Sequence, residues 1–562
     1  MKKQCNSIAF LIVNILLICN LLCYFGIRSM WSGIVRYTFK EMPYILLVVM
    51  IITILATTTL SMLKKHPLSI MIWGCILNVL FLGLDAYIIS LTTEATHYFI
   101  REFLYGLAFI AAIGVLVFIF THVSKMSWFQ KPFIAPVLMI VLFLIGIISI
   151  FKLTLFNGIN KTPVVYAVED TYQICFTTKA KGEAWIEIDG VEYNDTFAGY
   201  RYTEETIHKI TVPMEALDKA GSYTVHTRAM FLRGPYESLQ GPTISKTFHW
   251  KGVQTEDGIN YYVISDTHNT TKTPAAAASY WGESLDFLIC AGDTASWIDR
   301  EADLTTFLYL ASDITKGEIP VIYARGNHET KGVLAKNYYR YVGSDAGNYY
   351  YTFRLKNIWG IVLDMGEDHA DDFVEYCDIS RFNAYRDEQT AFLDTVLANA
   401  ENEFNAEGVD YRIGVCHIPL TINKKNDYAS PFRDAWLDRL NQMNLTIMYS
   451  GHVHELWFID PAFEDGMTLT EVVEYSGKSE GNAERIMTDA TFPSILVSKR
   501  GELQSPLDPE KVFDTGFIGL AVKVEGNETV MMYTDEEKNV LETISPWFSN
   551  IKYGKEIRVP NK

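Results

Sequence analysis

Five long apolar runs fill most of the first 155 residues of the chain. They lie at residues 8–27, 44–63, 70–90, 103–123 and 132–150. Each is about 20 residues long, which is the length that an α-helix needs to cross the hydrocarbon core of a bilayer. No small-residue cleavage site follows the first run and four more runs come after it, so we interpret it as a retained helix rather than a signal peptide. The pattern predicts a transmembrane domain of about five helices at residues 1–155.

Between residues 160 and 252 the pattern changes to short runs in which apolar and polar positions alternate. Tyr172, Ile174 and Phe176 alternate with polar residues, and Asp189-Gly190 is a turn signal between two further runs. Alternation with period two is typical of strands with one buried face, and Asp-Gly favours a tight hairpin. The pattern predicts a small antiparallel β-sandwich at residues 160–252.

From residue 256 onward, apolar strands alternate with helix-like segments. The clearest strands are predicted at 285–291, 320–324, 358–363, 412–416 and 446–450, and the clearest helical segments at 303–316 and 387–403. This alternation is typical of an α/β domain with a largely parallel sheet. We place that domain at residues 256–546 and a C-terminal tail at 547–562. The predicted fold class is multi-domain, with an α-helical membrane segment, a β-sandwich and an α/β domain.

The basic residues between the apolar runs predict an orientation. The amino terminus and the second and fourth loops together carry six Lys/Arg, whereas the first and third loops carry four. Because basic loops stay on the cytoplasmic side, the amino terminus is predicted to lie inside. Five crossings then place everything after about residue 155 outside. We therefore predict a multi-pass protein of a cell membrane, bacterial in type, with its later domains extracytoplasmic.

Acidic residues dominate the chain after the apolar runs. The net charge is −18, but residues 1–155 contain 11 Lys/Arg and 4 Asp/Glu, which leaves 37 Lys/Arg against 62 Asp/Glu for the rest. Such a surface argues against coating nucleic acid, which needs basic patches. It still permits a small anionic substrate whose charge is met locally by metal. Four of the eight cysteines follow the apolar runs without paired spacing, so no disulfide framework is expected.

Metal-ligand side chains gather where the predicted α/β strands end. Five segments carry them: Asp266-Thr267-His268, Gly292-Asp293, Gly326-Asn327-His328-Glu329, His417 and Gly451-His452-Val453-His454. The carboxyl ends of parallel strands meet at one sheet edge, and imidazole with carboxylate suits zinc, manganese and iron. If the chain stays extended, Asp266 and His268 share a face, and so do His452 and His454. Asp293 is the natural bridge between two cations, and no cysteine joins the set.

Together these segments resemble the calcineurin-like metallophosphoesterase superfamily. The resemblance implies two layered β-sheets flanked by helices, with two divalent metal ions at the strand ends. By that likeness one ion is held by Asp266, His268, Asp293 and His454, and the other by Asp293, Asn327, His417 and His452. His328 lies outside both ligand sets, over the phosphoryl group. The preceding β-sandwich is similar to the fibronectin-III-like domain that precedes the catalytic domain in purple acid phosphatases.

The activity implied by the resemblance is hydrolysis of phosphate mono- or diesters by attack of a hydroxide that bridges two metal ions. Asp293 and His328 are its expected catalytic residues, with His328 stabilising the transition state or protonating the leaving oxygen. The phosphate ester and the lipid bilayer are the expected partners. One alternative is a nucleotide-directed hydrolase or phosphodiesterase of the same superfamily, with Trp281, Trp297 and Trp359 as candidate stacking residues. The other is a non-catalytic membrane sensor with a phosphoesterase-like binding domain.

Departures from related families narrow the expected chemistry. Purple acid phosphatases have a tyrosine ligand three residues after the second aspartate, and here that position is Ser296. An iron(III)–tyrosinate pair is therefore disfavoured, and Mn, Zn or Fe in the divalent state is expected. The Gly-Asp-x-x-Asp-Arg-Gly pattern of phosphoprotein phosphatases is not matched either, which disfavours protein substrates of that type.

An acidic segment follows the strand predicted at 358–363. It contains Glu367, Asp368, His369, Asp371 and Asp372. Clustered charges of this kind are usually solvated, so we interpret the segment as a solvated loop. The alternative is a charged rim that screens substrates at the site.

Overall fold

The computed structural model describes most of the chain from residue 158 onward. The described ranges are 158–233, 238–255, 258–373, 376, 379–422, 430–454, 456, 458–459, 489–497, 502–504, 512–514, 516–541 and 555–561. All of them belong to the compact unit Ile148–Lys562. The transmembrane domain predicted at 1–155 and the start of the predicted tail, 547–554, lie outside these residues. Among the helices that are described, none has the length and apolar character needed to cross a membrane.

Strands and helices alternate along the described part of the chain. The strands of its first half are β1 (Val164–Val168), β2 (Thr171–Ile188), β3 (Val191–Asn194), β4 (Thr196–Phe197), β5 (Tyr200–Arg201), β6 (Glu205–Pro213), β7 (Ser222–Arg233), β8 (Ser238–His249), β9 (Ile259–Ile264), β10 (Phe287–Cys290) and β11 (Pro320–Tyr323). Those of its second half are β12 (Tyr351–Leu355), β13 (Ile358–Leu363), β14 (Tyr411–Cys416), β15 (Ile447–Ser450), β16 (Phe458–Ile459), β17 (Ser494–Leu496), β18 (Glu502–Gln504), β19 (Val512–Asp514), β20 (Ile518–Glu525), β21 (Glu528–Asp535) and β22 (Ile557–Pro560). The α-helices are α1 (Met214–Ala220), α2 (Lys272–Ala278), α3 (Glu301–Leu304), α4 (Thr306–Thr315), α5 (Phe382–Ala398) and α6 (Ser430–Leu440). Short 3-10 helices occupy Ser279–Ser284, His328–Thr330, Ala335–Arg340 and Asn441–Met443.

The larger sheet is parallel at its centre. Within the described residues it has 12 strands, in the order β22-β21-β20-β9-β10-β11-β1-β2-β7-β8, with β3 and β6 also paired to β2. β9 pairs with β10, β10 with β11 and β11 with β1, all in parallel. All four residues of β10, Phe-Leu-Ile-Cys, are buried, as expected for a parallel strand covered on both faces. The mixed α/β architecture predicted from the sequence is confirmed.

The smaller sheet faces the larger one through a group of tyrosines. Its order is β12-β13-β14-β15-β17-β16, and the pairs β13–β14, β14–β15 and β15–β17 are parallel. The hydroxyl of Tyr261 in β9 lies 2.6 Å from that of Tyr411 in β14 and 2.5 Å from that of Tyr449 in β15. These buried hydroxyls satisfy one another, because each can both donate and accept. They fix the two layers at a definite separation.

Helices cover the outer face of the smaller sheet. Leu393 of α5 and Trp436 of α6 share a buried apolar cluster with Trp359 of β13 and Met448 of β15. Trp436 and Trp359 are almost fully buried, so these helices bury a large apolar area against the strands. The loops at the carboxyl ends of the strands remain available for polar side chains.

The separate β-sandwich predicted at residues 160–252 is not confirmed. Its strands are present, but Val165 of β1 pairs with Pro320 of β11, so these strands continue the larger sheet. Because the paired residues are far apart in sequence, no local pattern indicates that β1 and β11 pair. The alternation of apolar and polar residues alone therefore suggested an independent domain. The predicted tail also differs, because its β22 pairs with β21 and extends the other side of the sheet.

Candidate metal centre

Main-chain hydrogen bonds hold the loops after the central strands against one another. Asp266 N donates to Gly292 O at 3.0 Å, which joins the loops after β9 and β10. Gly451 N donates to His417 O at 2.9 Å, which joins the loops after β15 and β14. Between the sheets, His452 N donates to Asp266 Oδ1 at 3.0 Å. The loops that carry the predicted ligands therefore meet at one edge of the two sheets.

Left-handed backbone conformations aim most of the predicted ligands. Positive φ angles occur at Asp266 (53°), His268 (40°), Asp293 (54°), His452 (72°) and His454 (58°). Such angles cost roughly 1 kcal/mol or more each in non-glycine residues and cluster at functional sites. The extended conformation expected at Asp266 and His268 is wrong, since β9 ends at Ile264. A left-handed turn, rather than strand alternation, brings the side chains to one side.

The first ligand group contains all four residues predicted for one ion. The ligand atoms of Asp266, His268, Asp293 and His454 lie within 4.8 Å of one another. His454 Nε2 lies 3.2 Å from Asp266 Oδ1 and 3.1 Å from His268 Nε2. His268 Nε2 lies 3.8 Å from Asp293 Oδ2. The two carboxylates are buried, so their charges face the imidazoles rather than solvent.

The second ligand group shares Asp293 with the first. The ligand atoms of Asp293, His417 and His452 lie within 4.8 Å of one another. Asn327, the fourth predicted ligand, places its Oδ1 3.1 Å from His452 Nδ1. The structure thus brings together all seven predicted ligands, in two groups that have the predicted common member.

The contacts of the two ring nitrogens of His417 indicate that these residues fit a cation. Its Nδ1 lies 2.6 Å from Ala291 O, which can only accept a hydrogen bond, so Nδ1 carries a proton. Its Nε2 is buried and faces Asp293 Oδ2 at 3.1 Å. A ring nitrogen and a carboxylate oxygen that face each other in this way suit a shared cation. Nitrogen and oxygen donors in this combination fit Mn, Zn or Fe.

The site holds its carboxyl groups in the ionised form. Burial raises the pKa of Asp293, but the nearby imidazoles, His417 foremost, outweigh it and hold that pKa well below its usual range. Burial likewise raises the pKa of Asp266, but a hydrogen bond with His454 and the charges of His417 and His454 together outweigh it and lower that pKa. Burial lowers the pKa of His417, but Asp293 overcomes this and raises it to about 10. Metal binding at this group would therefore displace a proton.

His328 lies beside the shared carboxylate but contacts it differently from the ligands. Its Nδ1 lies 2.8 Å from the backbone oxygen of Ser296, and its Nε2 lies 3.9 Å from Asp293 Oδ2. Its backbone N–H donates to Asp293 Oδ1 at 2.9 Å. The side chain is 33% exposed, so it can reach a bound molecule. Ser296, where the purple enzymes have a tyrosine, thus orients the His328 ring through its main chain.

Glu329 joins two site loops, a role that its place in the motif did not reveal. The fully buried carboxylate accepts hydrogen bonds from the backbone N–H groups of Asp293, Thr294, Ala295 and Gly326. Burial and the Asp293 charge raise the pKa of Glu329, whereas these donors oppose the shift. The carboxylate therefore fixes the loop after β10 against the loop after β11. A buried acid three residues after a glycine is a weak signal without the structure.

Two of the three tryptophans proposed as stacking residues make hydrogen bonds with other parts of the fold. Trp359 is buried in the core and donates to Glu403 Oε2 at 2.8 Å. Trp281 donates to Tyr261 O at 3.0 Å. Trp297 is half-buried and directly follows Ser296, whose backbone oxygen contacts His328. Trp359 is therefore wrong as a platform for a nucleotide base.

Comparison with protein families identifies the region that carries this site. The family model described as calcineurin-like phosphoesterase matches residues 259–456. Residues 259–456 form a calcineurin-like phosphoesterase domain. This match supports a hydrolase of phosphoric ester bonds, and the family's two divalent metal ions agree with the two ligand groups. All of the predicted ligands and His328 fall inside the phosphoesterase domain, and their individual roles remain predictions.

Several solved structures share similarity with the chain at low identity. A purple acid phosphatase, PPD1, from yellow lupin (Lupinus luteus) seeds is 12% identical, with a TM-score of 0.43 over 72% of this chain and 74% of the other. The structure of PhoD is 9% identical, with a TM-score of 0.37 over 68% and 88%. GAP50, the anchor in the inner membrane complex of Plasmodium, is 14% identical, with a TM-score of 0.32 over 55% and 90%. No curated protein sequence matches the chain.

Proposed function

We propose that the protein is a metal-dependent phosphoesterase that hydrolyses phosphate mono- or diesters. One observation carries the proposal, namely the arrangement around Asp293 Oδ2. Nε2 of His417 lies 3.1 Å from this oxygen, Nε2 of His268 lies 3.8 Å away and Nε2 of His328 lies 3.9 Å away. Two of these imidazoles belong to different ligand groups, and the third belongs to neither.

Asp293 and His328 have separate parts in this proposal. Asp293, the member common to both ligand groups, would help to hold two cations, which would polarise the phosphoryl oxygens and lower the pKa of a water molecule. His328 holds Nδ1 on Ser296 O, so a proton on Nε2 makes the ring a cation that points into the site. That Nε2–H can donate to a phosphoryl oxygen or to the leaving oxygen.

Metal-dependent hydrolysis by the full-length chain tests the proposal. The protein is stripped with a chelator, reloaded with Mn, Zn or divalent Fe, and assayed with p-nitrophenyl phosphate, its bis-ester and nucleotides. We expect hydrolysis of at least one ester only after reloading. If no metal restores hydrolysis of any of them, the non-catalytic sensor becomes the better explanation.

His328→Ala separates catalysis from metal binding. We expect turnover to fall by roughly 10²- to 10⁴-fold, the usual contribution of a general acid, while both ions stay bound. Turnover and metal content are measured on the same preparation. His226→Ala, which removes a histidine on β7, is the control and should change neither. Normal turnover in His328→Ala with metal bound contradicts the assigned role.

We further propose that the chain is anchored in a membrane with the phosphoesterase domain on the outer side. The support is in the sequence, where five apolar runs of spanning length precede residue 155 and the basic loops favour an inside amino terminus.

A further inference from the structure

Two acidic residues after β13 contact the second ligand group. The sequence suggested a solvated loop here, but Glu367 is buried and Asp368 nearly so. Glu367 Oε2 lies 3.4 Å from Asn327 Nδ2, and Asp368 Oδ2 lies 3.3 Å from His452 Nε2. We infer that Glu367 and Asp368 are positioning residues that decide which atoms of Asn327 and His452 face the second metal ion. The inference rests on the proposed two-metal function.

Glu367 sets the orientation of the Asn327 amide. An ionised carboxylate only accepts hydrogen bonds, so the amide must turn its Nδ2 towards Glu367. The reverse orientation would place two oxygens against each other in a buried space. With Nδ2 fixed, Oδ1 points to the opposite side, where it lies 3.1 Å from His452 Nδ1. Oxygen is the amide atom that binds cations, so Glu367 presents the ligand atom to the site.

Asp368 sets the tautomer of His452. The ring has an oxygen neighbour at each nitrogen, Asp368 Oδ2 at Nε2 and Asn327 Oδ1 at Nδ1. A neutral imidazole has one N–H and the carboxylate is the stronger acceptor, so a cation bound at Nδ1 would leave the N–H on Nε2, facing Asp368. Nδ1 then carries its lone pair beside Oδ1, an arrangement that suits two ligands of one cation. Carboxylates that hold metal-binding histidines in this way raise metal affinity.

The loop that carries the two acids is itself held in place. Thr330 Oγ1 donates to Glu367 Oε1 at 2.7 Å, and Tyr376 Oη donates to Oε2 at 3.0 Å. Arg386 of α5 is fully buried and donates to the backbone oxygens of Met365, at 2.9 Å, and of Glu367. A carboxylate that is held in place determines the orientation of the side chain that contacts it, whereas a mobile carboxylate would adjust to that side chain. The surroundings of Glu367 thus match a positioning role.

The Glu367 contact is tested by manganese titration of the metal-free, full-length protein, followed by electron paramagnetic resonance. Glu367→Gln is expected to weaken binding of the second ion by about 10- to 100-fold and to leave the first ion unchanged. Asn327→Asp places two carboxylates against each other and should also weaken it. In that background Glu367→Gln should strengthen binding, because Gln can donate to the new carboxylate. Asp372→Asn, an exposed change on the same loop, is the control.

Glu367→Gln is expected to weaken manganese binding in the otherwise unmodified protein and to strengthen it in Asn327→Asp. These opposite effects distinguish a positioning role from a general structural effect. If Glu367→Gln weakens manganese binding equally in both backgrounds, or in neither, the role of Glu367 is overturned. Because the titration uses no substrate, its result does not depend on whether hydrolysis is found. Thermal unfolding of each variant is measured, and if Glu367→Gln alone does not fold, the comparison is made between Asn327→Asp and the double variant.

Asp368 is tested independently with a matched pair. Asp368→Ala removes the acceptor at His452 Nε2 and should weaken second-ion binding by about 10-fold or more. Asp368→Asn keeps an oxygen acceptor and should retain most of the affinity. Equal affinities for Asp368→Ala and the unmodified protein overturn the tautomer argument, and so does an equal loss in both variants.

Discussion

At the scale of single residues, Gly326 limits the space around the shared carboxylate. A Cβ added there would lie 2.1 Å from Asp293 Oδ1 and 2.3 Å from Asp293 N. Asp293 Oδ1 cannot move freely, because it accepts a hydrogen bond from His328 N at 2.9 Å. Gly326→Ala should therefore displace the one ligand that both groups need. We expect loss of at least one of the two ions and a fall in turnover of roughly 100-fold or more, since small misplacements have such effects.

Gly526→Ala is the control for this change. Gly526 has a φ of 57° and open space around it, so an alanine there is strained but contacts nothing. That substitution should cost about 1 kcal/mol in stability without affecting metal content. If Gly326→Ala keeps two ions and normal turnover in metal analysis and hydrolysis assays, the close-packing argument is wrong.

The identities of the site residues could be predicted, because the sequence itself shows their types and their order along the chain. Asp266, Asp293 and His417 each follow an apolar strand, and parallel strands end at one edge. Their conformations could not be predicted, since left-handed angles at non-glycine residues are imposed by the surrounding loops. The part played by Glu367 was hidden for another reason. Its partner Asn327 lies 40 residues earlier in the chain, and burial of an acid in an acidic segment has no sequence signature.

At the scale of secondary-structure elements, Lys209 connects β6 to the 3-10 helix Ala335–Arg340 and to the segment that follows it. Its Nζ donates to Tyr339 O, to Val342 O at 3.2 Å and to Ser344 Oγ at 2.7 Å. Burial lowers the pKa of Lys209 to about 8. Between pH 8 and about 10.4, the usual lysine value, the unfolded chain binds more protons than the folded one. The contribution of Lys209 to the free energy of unfolding should therefore rise with pH between these two values.

Thermal unfolding between pH 7 and pH 10 measures this effect. The midpoint of the unmodified protein, minus that of Lys209→Met, should be constant up to about pH 8 and should then increase, because neutralising the buried amine removes its desolvation cost. Lys246→Met removes an exposed lysine from β8 and provides the baseline. A difference that falls or stays flat above pH 8 would show that burial of Lys209 does not control its ionisation.

Individual elements were easier to predict than their pairing. The strands predicted at 320–324, 358–363 and 446–450 correspond to β11, β13 and β15, because continuous apolar runs mark buried strands. Strand alternation between 160 and 252 was equally clear, but it does not indicate which strand pairs with β1. That strand is β11, and the continuous sheet depends on this one parallel pair. Tertiary packing, rather than local pattern, decided the architecture here.

At the scale of the whole molecule, the orientation proposed for the chain can be tested at Val191. This residue opens β3 and is 53% exposed, so a cysteine there can react with a maleimide. The described cysteines Cys175, Cys290 and Cys416 are buried and should not interfere. In intact cells expressing the full chain, a membrane-impermeant maleimide should label Val191→Cys above the unmodified protein, because five crossings from an inside amino terminus end outside. Lys125→Cys, in a loop predicted inside, should be labelled only after permeabilisation, and the opposite result for the pair would reverse the proposed orientation.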